Sequence, residues 1–335
     1  MHDIRPFIAS VRAIVSTHRC GAPGAYRRWN WQDARAARDL SLNPYGCADA
    51  ANTLYTIGEF PREPSERSCW INTLHSLQDA ATGMWREATH HEIHTTAHCI
   101  AALELLDAGP LRPLTALEPL RDPAAMERFL DRLDWRNDPW SQSHRGAGLY
   151  AALVLSRAVD DAWEDRYFSW LWNETDPATG FLRTGCVAPV ATGGTHSLFP
   201  HLAGTFHYLF CQEYARRPLR HPAAVIDTCL ELRRTGAFPL GSAVGFAEVD
   251  WVYCLNRASR QSTHRHDECR AALMSFAHDY IGFLAGLDAP THDGLNDLHM
   301  LFGAVCCLAE LQAALPGMIR TTRPLKLVLD RRPFI

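Results

Sequence analysis

The densest group of chemically reactive side chains in this 335-residue sequence is the segment HHEIHTTAH, residues 90–98. On a helix, His91, His94 and His98 stand at positions i, i+3 and i+7, so they share one face over about two turns. Imidazoles one turn apart are able to bind zinc, with Glu92 nearby as a base. The segment is not an HExxH motif. We therefore favour a buried, hydrogen-bonded stripe of histidines, with zinc at His91, His94 and His98 as the alternative.

Two carboxylates, Glu248 and Asp250, open a helical pattern in the segment GFAEVDWVYCLNRASRQ. Acidic side chains in a first helical turn are favoured by the helix dipole even when they do not catalyse, so capping is one interpretation. Trp251 and Tyr253 lie beside them, and Arg257 follows one turn after Tyr253. A charged row on an otherwise apolar helix is costly to bury, which favours catalysis over capping.

A third polar segment, WSQSHRG, spans residues 140–146. Tight helix packing explains the small residues that follow it, but it does not explain the polar side chains before them. We predict a non-helical approach that faces a substrate, because binding residues concentrate on such loops. The candidate binding side chains on it are Trp140, Gln142 and Arg145, and His144 is a candidate catalytic group.

These segments lie at or near the starts of helical patterns that are apolar on nearly all sides. A helix that is apolar all round must be buried all round, so these patterns predict inner helices. Six such stretches occur, at roughly 46–58, 93–107, 144–158, 200–214, 247–259 and 296–313.

Helical patterns with one apolar stripe and one charged face alternate with the inner ones. They occur at roughly 3–16, 65–78, 123–134, 161–173, 221–233 and 266–286. Such helices are covered on one side and solvated on the other. Six alternating pairs predict an all-α fold of the (α/α)6 toroid type, with an inner and an outer ring of helices in a single domain over residues 1–335.

In such a ring the first turns of all inner helices meet at one mouth, with their free N–H groups and positive dipole ends. Asp49 and His201 join Glu248, Asp250, His94 and His144 as candidate catalytic groups there, and Tyr45 is a candidate binding residue. The full set expected near the mouth is Asn43, Tyr45, Asp49, His90, His91, Glu92, His94, His98, Trp140, Ser141, Gln142, His144, Arg145, His196, His201, His207, Glu248, Asp250, Trp251, Tyr253, Arg257, His292, Asp293, Asp297 and His299.

A short internal repeat supports the helix pairs. In the segments DAATGMW (residues 79–85) and DPATGFL (residues 176–182), an amphipathic pattern ends, a D-x-x-T-G turn follows, and a large apolar residue comes directly after the glycine. The glycine in each supplies a positive φ for a tight turn. The repeat predicts that the same turn links successive helix pairs.

Composition narrows the class of protein. Hydrophobic residues make up 47% of the chain and charged residues 21%, which predicts a folded core. The net charge of −4, without a basic cluster, disfavours nucleic acid as a partner. No signal peptide and no apolar run of about 18 residues is recognisable, so we expect a cytoplasmic protein without a membrane span. The 11 irregularly spaced cysteines indicate reduced thiols.

The D-P-x-T-G-F/W turns followed by buried helices resemble those of the (α/α)6 toroid enzymes. Two groups of proteins have this repeat pattern. One is the six-hairpin glycosidases with related polysaccharide lyases and sugar epimerases, and the other is the terpenoid cyclase and protein prenyltransferase toroids. The resemblance covers residues 43–313 as a repeat pattern. It implies carboxylate and histidine chemistry on a sugar for the first group. The DxDD acid of class II cyclases is absent from this sequence.

We therefore expect an enzyme that acts on a small sugar or oligosaccharide as a hydrolase, lyase or epimerase. In this hypothesis Glu248 or Asp250 is the acid/base, paired with Asp49 or a mouth histidine, and Trp140, Trp251 and Tyr253 stack on the sugar while Arg257 or Arg145 holds a carboxylate or hydroxyl. No cofactor is predicted, and no phosphate loop or dinucleotide fingerprint is present. The alternatives are a terpenoid or prenyl-group enzyme with a deep apolar cavity, and a non-catalytic binding scaffold.

Overall fold

The fold is all-α, as predicted. The computed structural model describes residues 1–34, 37–187, 198–236 and 238–335. Within these residues the only sheet is a pair of two-residue parallel strands, β1 (His2–Asp3) and β2 (Ile319–Arg320). The pair joins the two ends of the chain, since His2 lies opposite Ile319.

In the described ranges, six helices are buried along most of their length, and they match the six predicted inner helices. These helices are α2 (Pro44–Thr56), α4 (Glu92–Leu105), α6 (Pro139–Leu155), α8 (Phe199–Tyr214), α10 (Ala247–Arg260) and α13 (Leu298–Ala314). Residues 188–197, which come shortly before α8, lie outside the described ranges.

Six further helices are half exposed and match the predicted amphipathic patterns. They are α1 (Arg5–Thr17), α3 (Pro64–Ser76), α5 (Pro123–Asp131), α7 (Asp161–Glu174), α9 (Pro222–Thr235) and α11 (His266–Ala285). The remaining short elements are a 3₁₀ helix (Thr115–Arg121), α12 (Asp293–Asn296) and α14 (Val328–Arg331).

Proline sets the start of many of these helices. It occupies the first or second position of α1, α2, α3, α5, α6, α8 and α9. The fixed φ of proline suits the first helical turn, and its missing N–H is not needed there. This explains one error of the sequence interpretation: Pro139 starts α6 before the WSQSHRG segment, so that segment is helical and not a loop.

The predicted repeat turn is confirmed at both places. Gly83 and Gly180 each have φ of 73°. In the first copy, the Asp79 carboxylate accepts hydrogen bonds from the backbone N–H and the hydroxyl of Thr82 at 2.8 Å. Asp176 and Thr179 repeat these contacts in the second copy. The turn is thus built by the same side chains twice.

The buried helices contact one another in sequence order. α2 packs against α4, α4 against α6, α6 against α8, α8 against α10, and α10 against α13. α13 also packs against α2, so the first and last of these helices are neighbours. α14 lies against α8 and α2.

Two further expectations concern the cysteines and the membrane. All eleven cysteines are free thiols, and eight of them are buried. Among the described residues, no helix combines the length and the apolar character that crossing a membrane requires.

Candidate functional site

A cluster of imidazoles lies where the first halves of the buried helices meet. α2, α4, α6, α8 and α13 each contribute side chains to it, and the loop before α4 contributes one more. Tyr45 lies among them, with ring centroids between 4.3 and 5.8 Å from four of the histidines. We call this the histidine cluster, and it consists of Tyr45, Asp49, His90, His94, His98, His144, His207 and His299.

Asp49 joins two histidines from different helices. Its Oδ1 lies 2.8 Å from Nε2 of His98 and 3.1 Å from Nδ1 of His299. All three residues are buried, and Asp49 is fully shielded from solvent. Because a carboxylate accepts hydrogen bonds, these two ring nitrogens carry protons, which leaves the lone pair of His299 on Nε2.

The protonation of this group follows from burial and hydrogen bonding. Burial lowers the pKa of His299 to about 4, against the opposing effect of Asp49. Burial also lowers the pKa of His98. Burial alone would raise the pKa of Asp49, but its interactions with His299 and His98 hold the pKa below its usual range. The group is therefore an ionised carboxylate with two neutral imidazoles at neutral pH.

Tyr45 connects this group to His94. The Tyr45 hydroxyl contacts Nδ1 of His94 in a short hydrogen bond. The tyrosine is fully buried, and burial raises its pKa well above the usual value. Its hydroxyl therefore keeps its proton at neutral pH and is able to donate it.

His144 and His207 complete the other side of the cluster. The His144 ring centroid lies 4.3 Å from that of His94 and 4.5 Å from that of His207. His207 is buried, and its Nδ1 lies 3.0 Å from the hydroxyl of Ser143. Burial lowers the pKa of His207 to about 3 and that of His144 well below its usual value.

A buried ion pair covers the cluster beside Tyr45. Arg28 binds Asp297 through two hydrogen bonds of 2.8 and 3.0 Å. The same guanidinium donates to Thr89 and lies 5.4 Å from the centre of the Tyr45 ring. Both oxygens of Asp297 thus bind the arginine, and Oδ1 also accepts a hydrogen bond from the backbone N–H of His299.

The C-terminal segment also contacts the histidine cluster. Phe334 is fully buried, and its ring lies 4.7 Å from that of His94 and 5.8 Å from that of Phe210. Arg332 is also buried and bonds to Asn52 on α2. These residues pack against the cluster and shield part of it from water.

A cavity of about 350 Å³ lies against the first turns of α6 and α8. His144, Trp140 and His201 belong to its lining. His144 is half buried, so it connects this cavity to the histidine cluster.

Several residues predicted from the sequence meet here and others do not. Tyr45, Asp49, His94 and His144 all belong to the cluster, as does His98. His91 lies at the N-cap of α4, where its ring accepts a hydrogen bond from the N–H of Ile93.

Of the two other predicted histidines, one lies apart from the cluster and one lies outside the described residues. His201 is held by the carbonyl of Leu182 at 2.8 Å and stacks near Trp135. His196 falls outside the described residues.

The two predicted acids on α10 are buried, but among the described residues neither makes a hydrogen bond or ion pair with the cluster. Glu248 accepts a hydrogen bond from the N–H of Gly241 at 3.2 Å, so it holds the loop before α10. Neither oxygen of Asp250 has a hydrogen-bond partner in the described part of the chain. Burial, and secondarily the nearby Glu248, raises the pKa of Asp250 well above its usual value.

The proposed sugar-binding residues on α10 point elsewhere. The Trp251 indole donates to the carbonyl of Cys229 on α9, and its ring packs 5.2 Å from Phe276 on α11. Tyr253 is buried against Phe206. These rings therefore fill space between helices, which corrects their predicted place at the mouth.

The predicted substrate-binding role of Arg257 is also corrected. It lies in the last turn of α10, at the opposite end from the mouth. Its guanidinium binds Glu310 at 2.7 Å, Glu213 at 3.2 Å and Asp330 at 2.7 Å. Three carboxylates of the protein already occupy it, so it is not available to hold a substrate.

The remaining predicted binding residues lie on the surface side of α6. Gln142 accepts a hydrogen bond from Arg145 at 3.0 Å, and the Arg145 guanidinium lies over the ring of Phe129. Trp140 is half buried, with its ring 5.8 Å from that of Phe199, and lines the cavity beside His144.

The sequence interpretation missed three residues of the site. Arg28 precedes the first buried helix and carries no helical signal, and Phe334 lies beyond the last helix pair. Neither residue belongs to a sequence pattern that would have predicted its contact with the histidine cluster. The hydroxyl of Ser143 was overlooked within WSQSHRG, although a serine beside a histidine-rich face is a plausible hydrogen-bond partner.

Two groups of three side chains in the described ranges bring possible metal-binding atoms within 4.8 Å of one another. One group is His94, His144 and His207, and the other is Asp49, His98 and His299. The second group is already joined by hydrogen bonds to Asp49. Comparison of the chain with protein-family models, with curated proteins and with solved structures finds no match.

Proposed function

We propose that this protein is an enzyme that transfers protons to and from a sugar, with His299 as the general base and Asp49 as the residue that orients it. The observation that carries this proposal is the buried hydrogen bond between Asp49 Oδ1 and His299 Nδ1. A carboxylate in this position fixes the tautomer of an imidazole and stabilises the imidazolium that forms when the base takes up a proton.

The proton-transfer step follows from the tautomer. His299 keeps its proton on Nδ1 toward Asp49 and receives the substrate proton on Nε2. Because burial lowers the pKa of His299 to about 4, the ring is neutral and ready to accept a proton at neutral pH. Asp49 remains ionised throughout and compensates the positive charge on the ring.

Tyr45 is the proposed proton donor. Its ring meets that of His299 edge to face at 4.8 Å, so donor and acceptor flank a common region. Burial raises the pKa of Tyr45, which keeps the hydroxyl protonated until a developing oxyanion or carbanion on the substrate takes the proton.

Among the sugar reactions, lyase and epimerase chemistry fits these groups better than hydrolysis. Glycoside hydrolysis generally needs two carboxyl groups that flank the scissile bond. Within the described cluster Asp49 is bound by two histidines, and the adjacent Asp297 is bound by Arg28. One base and one acid suffice to abstract a proton from carbon and return another.

We also propose the (α/α)6 toroid as the arrangement of the helices. Support comes from the order of contacts among the six buried helices, in which α13 packs against α2. Further support comes from the side chains that the N-terminal parts of α2, α4, α6 and α13 and the middle of α8 bring to the histidine cluster. The C-terminal parts of α8, α10 and α13 meet around Arg257. Helices that meet this way run in the same direction, as an inner ring requires.

The other two hypotheses fit less well. A terpenoid or prenyl-group enzyme would place its polar groups at the rim of a deep apolar cavity, whereas His98 and His207 are buried deep within the helices. A binding scaffold gives no reason for Tyr45, Asp49 and His94 to converge, because burying polar groups costs free energy.

The test is an activity screen with matched variants. The purified protein is incubated with neutral oligosaccharides, uronides and free sugars. Unsaturated products are read by ultraviolet absorbance, new reducing ends by a colorimetric assay, and epimerisation by NMR. For any activity found, Asp49→Asn, His299→Gln and Tyr45→Phe are each expected to lower kcat by about 100-fold or more.

The control is His264→Gln, which changes a surface histidine that pairs with Asp227 at 2.9 Å. It should leave kcat unchanged. Activity that survives in both Asp49→Asn and His299→Gln within tenfold of the parent would overturn the assignment of the base.

A further inference from the structure

A second set of histidines lies beside the proposed acid–base group, and a hydrogen bond between His94 Nδ1 and the Tyr45 hydroxyl joins the two. His94 on α4, His144 on α6 and His207 on α8 each direct one possible donor atom to within 4.8 Å of the others. Their ring centroids are 4.3 Å apart for His94 and His144, 4.5 Å for His144 and His207, and 6.1 Å for His94 and His207. Three neighbouring helices thus converge on one point with imidazoles.

The hydrogen bonds of His207 determine which of its nitrogens is free. The Ser143 hydroxyl donates a hydrogen bond to the carbonyl of Trp140 at 2.5 Å. Its oxygen must therefore accept from Nδ1 of His207, which lies 3.0 Å away. The proton of the neutral ring then lies on Nδ1, and the lone pair of Nε2 is available to a ligand.

His94 is able to adopt the same tautomer, in which its Nδ1–H donates to the Tyr45 hydroxyl oxygen. Its Nδ1 contacts the Tyr45 hydroxyl, so its Nε2 is the nitrogen left without a hydrogen bond among the described residues. Neither ring nitrogen of His144 has a hydrogen-bond partner within those residues. Metal-binding histidines commonly use one nitrogen for the metal and the other for a hydrogen bond that fixes the ring.

The burial of the rings also favours a metal ion. His94 and His207 are buried and His144 is half buried, so water reaches little of the three rings. Without a ligand, three neutral imidazoles stand close together with few polar partners. A metal ion would satisfy all three lone pairs at once.

We propose that His94, His144 and His207 bind one zinc ion through a ring nitrogen of each. Zinc forms tetrahedral sites with imidazole nitrogens at about 2.0–2.1 Å, and three protein ligands leave a fourth position for water or substrate. Ligand nitrogens in such a site lie roughly 3.3 Å apart, a separation that small side-chain rotations reach from the observed positions. His144 lines the cavity of about 350 Å³, which gives the ion a route to the site.

The other group of possible ligands is less suitable. In the group of Asp49, His98 and His299, the carboxylate already accepts a hydrogen bond from each ring, at 2.8 and 3.1 Å. A metal between them would have to replace both hydrogen bonds. This arrangement is a separate outcome of the test.

The zinc site does not depend on the proposed sugar chemistry, because metal binding is measured without a substrate. Metal content of the purified protein is determined by elemental analysis, and the chelated protein is titrated with Zn²⁺ and Co²⁺. We expect about one zinc per chain and a cobalt spectrum with the visible bands of a tetrahedral site.

Three variants locate the metal. His144→Asn and His207→Asn should each weaken Zn²⁺ binding at least tenfold. The matched control is His91→Asn, because His91 lies in the same histidine-rich segment but only caps α4, and asparagine is also a good N-cap. His91→Asn should bind zinc like the parent. Circular dichroism checks that each variant folds.

Either of two results would overturn the proposal. One is a folded, chelated protein that takes up neither Zn²⁺ nor Co²⁺. The other is metal binding that His299→Asn abolishes and His144→Asn leaves intact, which would place the ion at Asp49. If the ligand variants do not fold, X-ray absorption of the zinc-loaded parent decides the matter: three imidazoles support the site, and a shell with sulfur or two or fewer imidazoles contradicts it.

Discussion

Asp49 and His299 are 250 residues apart in the sequence and share a buried hydrogen bond of 3.1 Å. One lies near the start of α2 and the other near the start of α13, the first and last of the six buried helices. The bond exists only because these two helices pack against each other. The contact that brings the ends of the helical array together therefore also builds the proposed catalytic pair.

A buried histidine outside the cluster gives a prediction for the pH dependence of stability. Burial lowers the pKa of His18 to about 4 in the folded protein, whereas in the unfolded chain it is near 6.5. The unfolded state binds more protons between these values, so His18 makes stability fall as the pH falls from 6.5 toward 4. Lowering the pH from 7 to 5 should cost the parent about 2 kcal/mol more than His18→Asn.

The measurement is the free energy of unfolding in urea at both pH values. The comparison with the variant is needed because buried Glu248 and Asp250, whose pKa values are raised, act in the opposite direction. An equal pH dependence in parent and variant would show that His18 is not neutral and buried as described.

The ion-pair network at the far end of the helices predicts a loss of stability. Arg257→Ala leaves Glu310 buried without its main partner, so it should lower the free energy of unfolding by about 3–5 kcal/mol. Arg260→Ala is the matched control. Arg260 lies in the same helical turn, but its side chain is 40% exposed and 3.8 Å from Glu310, so its removal should cost less than about 1 kcal/mol. Similar losses in the two variants would contradict the network.

The backbone of Arg27 lies so close to Gly46 on α2 that adding one methyl group at Gly46 should lower stability. A Cβ on Gly46 would lie 2.5 Å from the carbonyl carbon of Arg27. Gly46→Ala should therefore displace the segment that carries Arg28 and lower the free energy of unfolding by about 1–3 kcal/mol. In contrast, a Cβ on Gly282 meets nothing within 4 Å, and Gly282→Ala should stabilise α11 by about 0.5–1 kcal/mol.

Thermal and urea unfolding of both glycine variants provide the test. If Gly46→Ala were as stable as the parent, the packing of the Arg27 backbone on α2 would be wrong.

The helices and part of the site could be predicted because their signals are local. The apolar pattern, the prolines at helix starts and the D-x-x-T-G turns are each encoded within a few residues, and they determine the twelve main helices. Tyr45, Asp49, His94 and His144 followed from the same reasoning, since they lie in or near the first turns of buried helices.

The rest of the site depends on contacts between distant segments. Whether Trp251 faces the centre or α9 depends on the rotation of α10, and a helix buried all round gives no stripe from which to read it. Arg257 could not be assigned because its partners Glu213 and Asp330 come from other elements. No periodic pattern in the sequence predicts that Phe334 contacts His94.

The central claim is a neutral His299 held by Asp49 with its proton on Nδ1, and ¹⁵N NMR of protein with labelled histidine tests it without a substrate. His299→Gln identifies the signals of this ring, and Asp49→Asn removes the charge that orients it. We predict the Nδ1-protonated neutral tautomer at pH 7 and a titration midpoint near pH 4. An imidazolium at pH 7, or a proton on Nε2, would contradict the account.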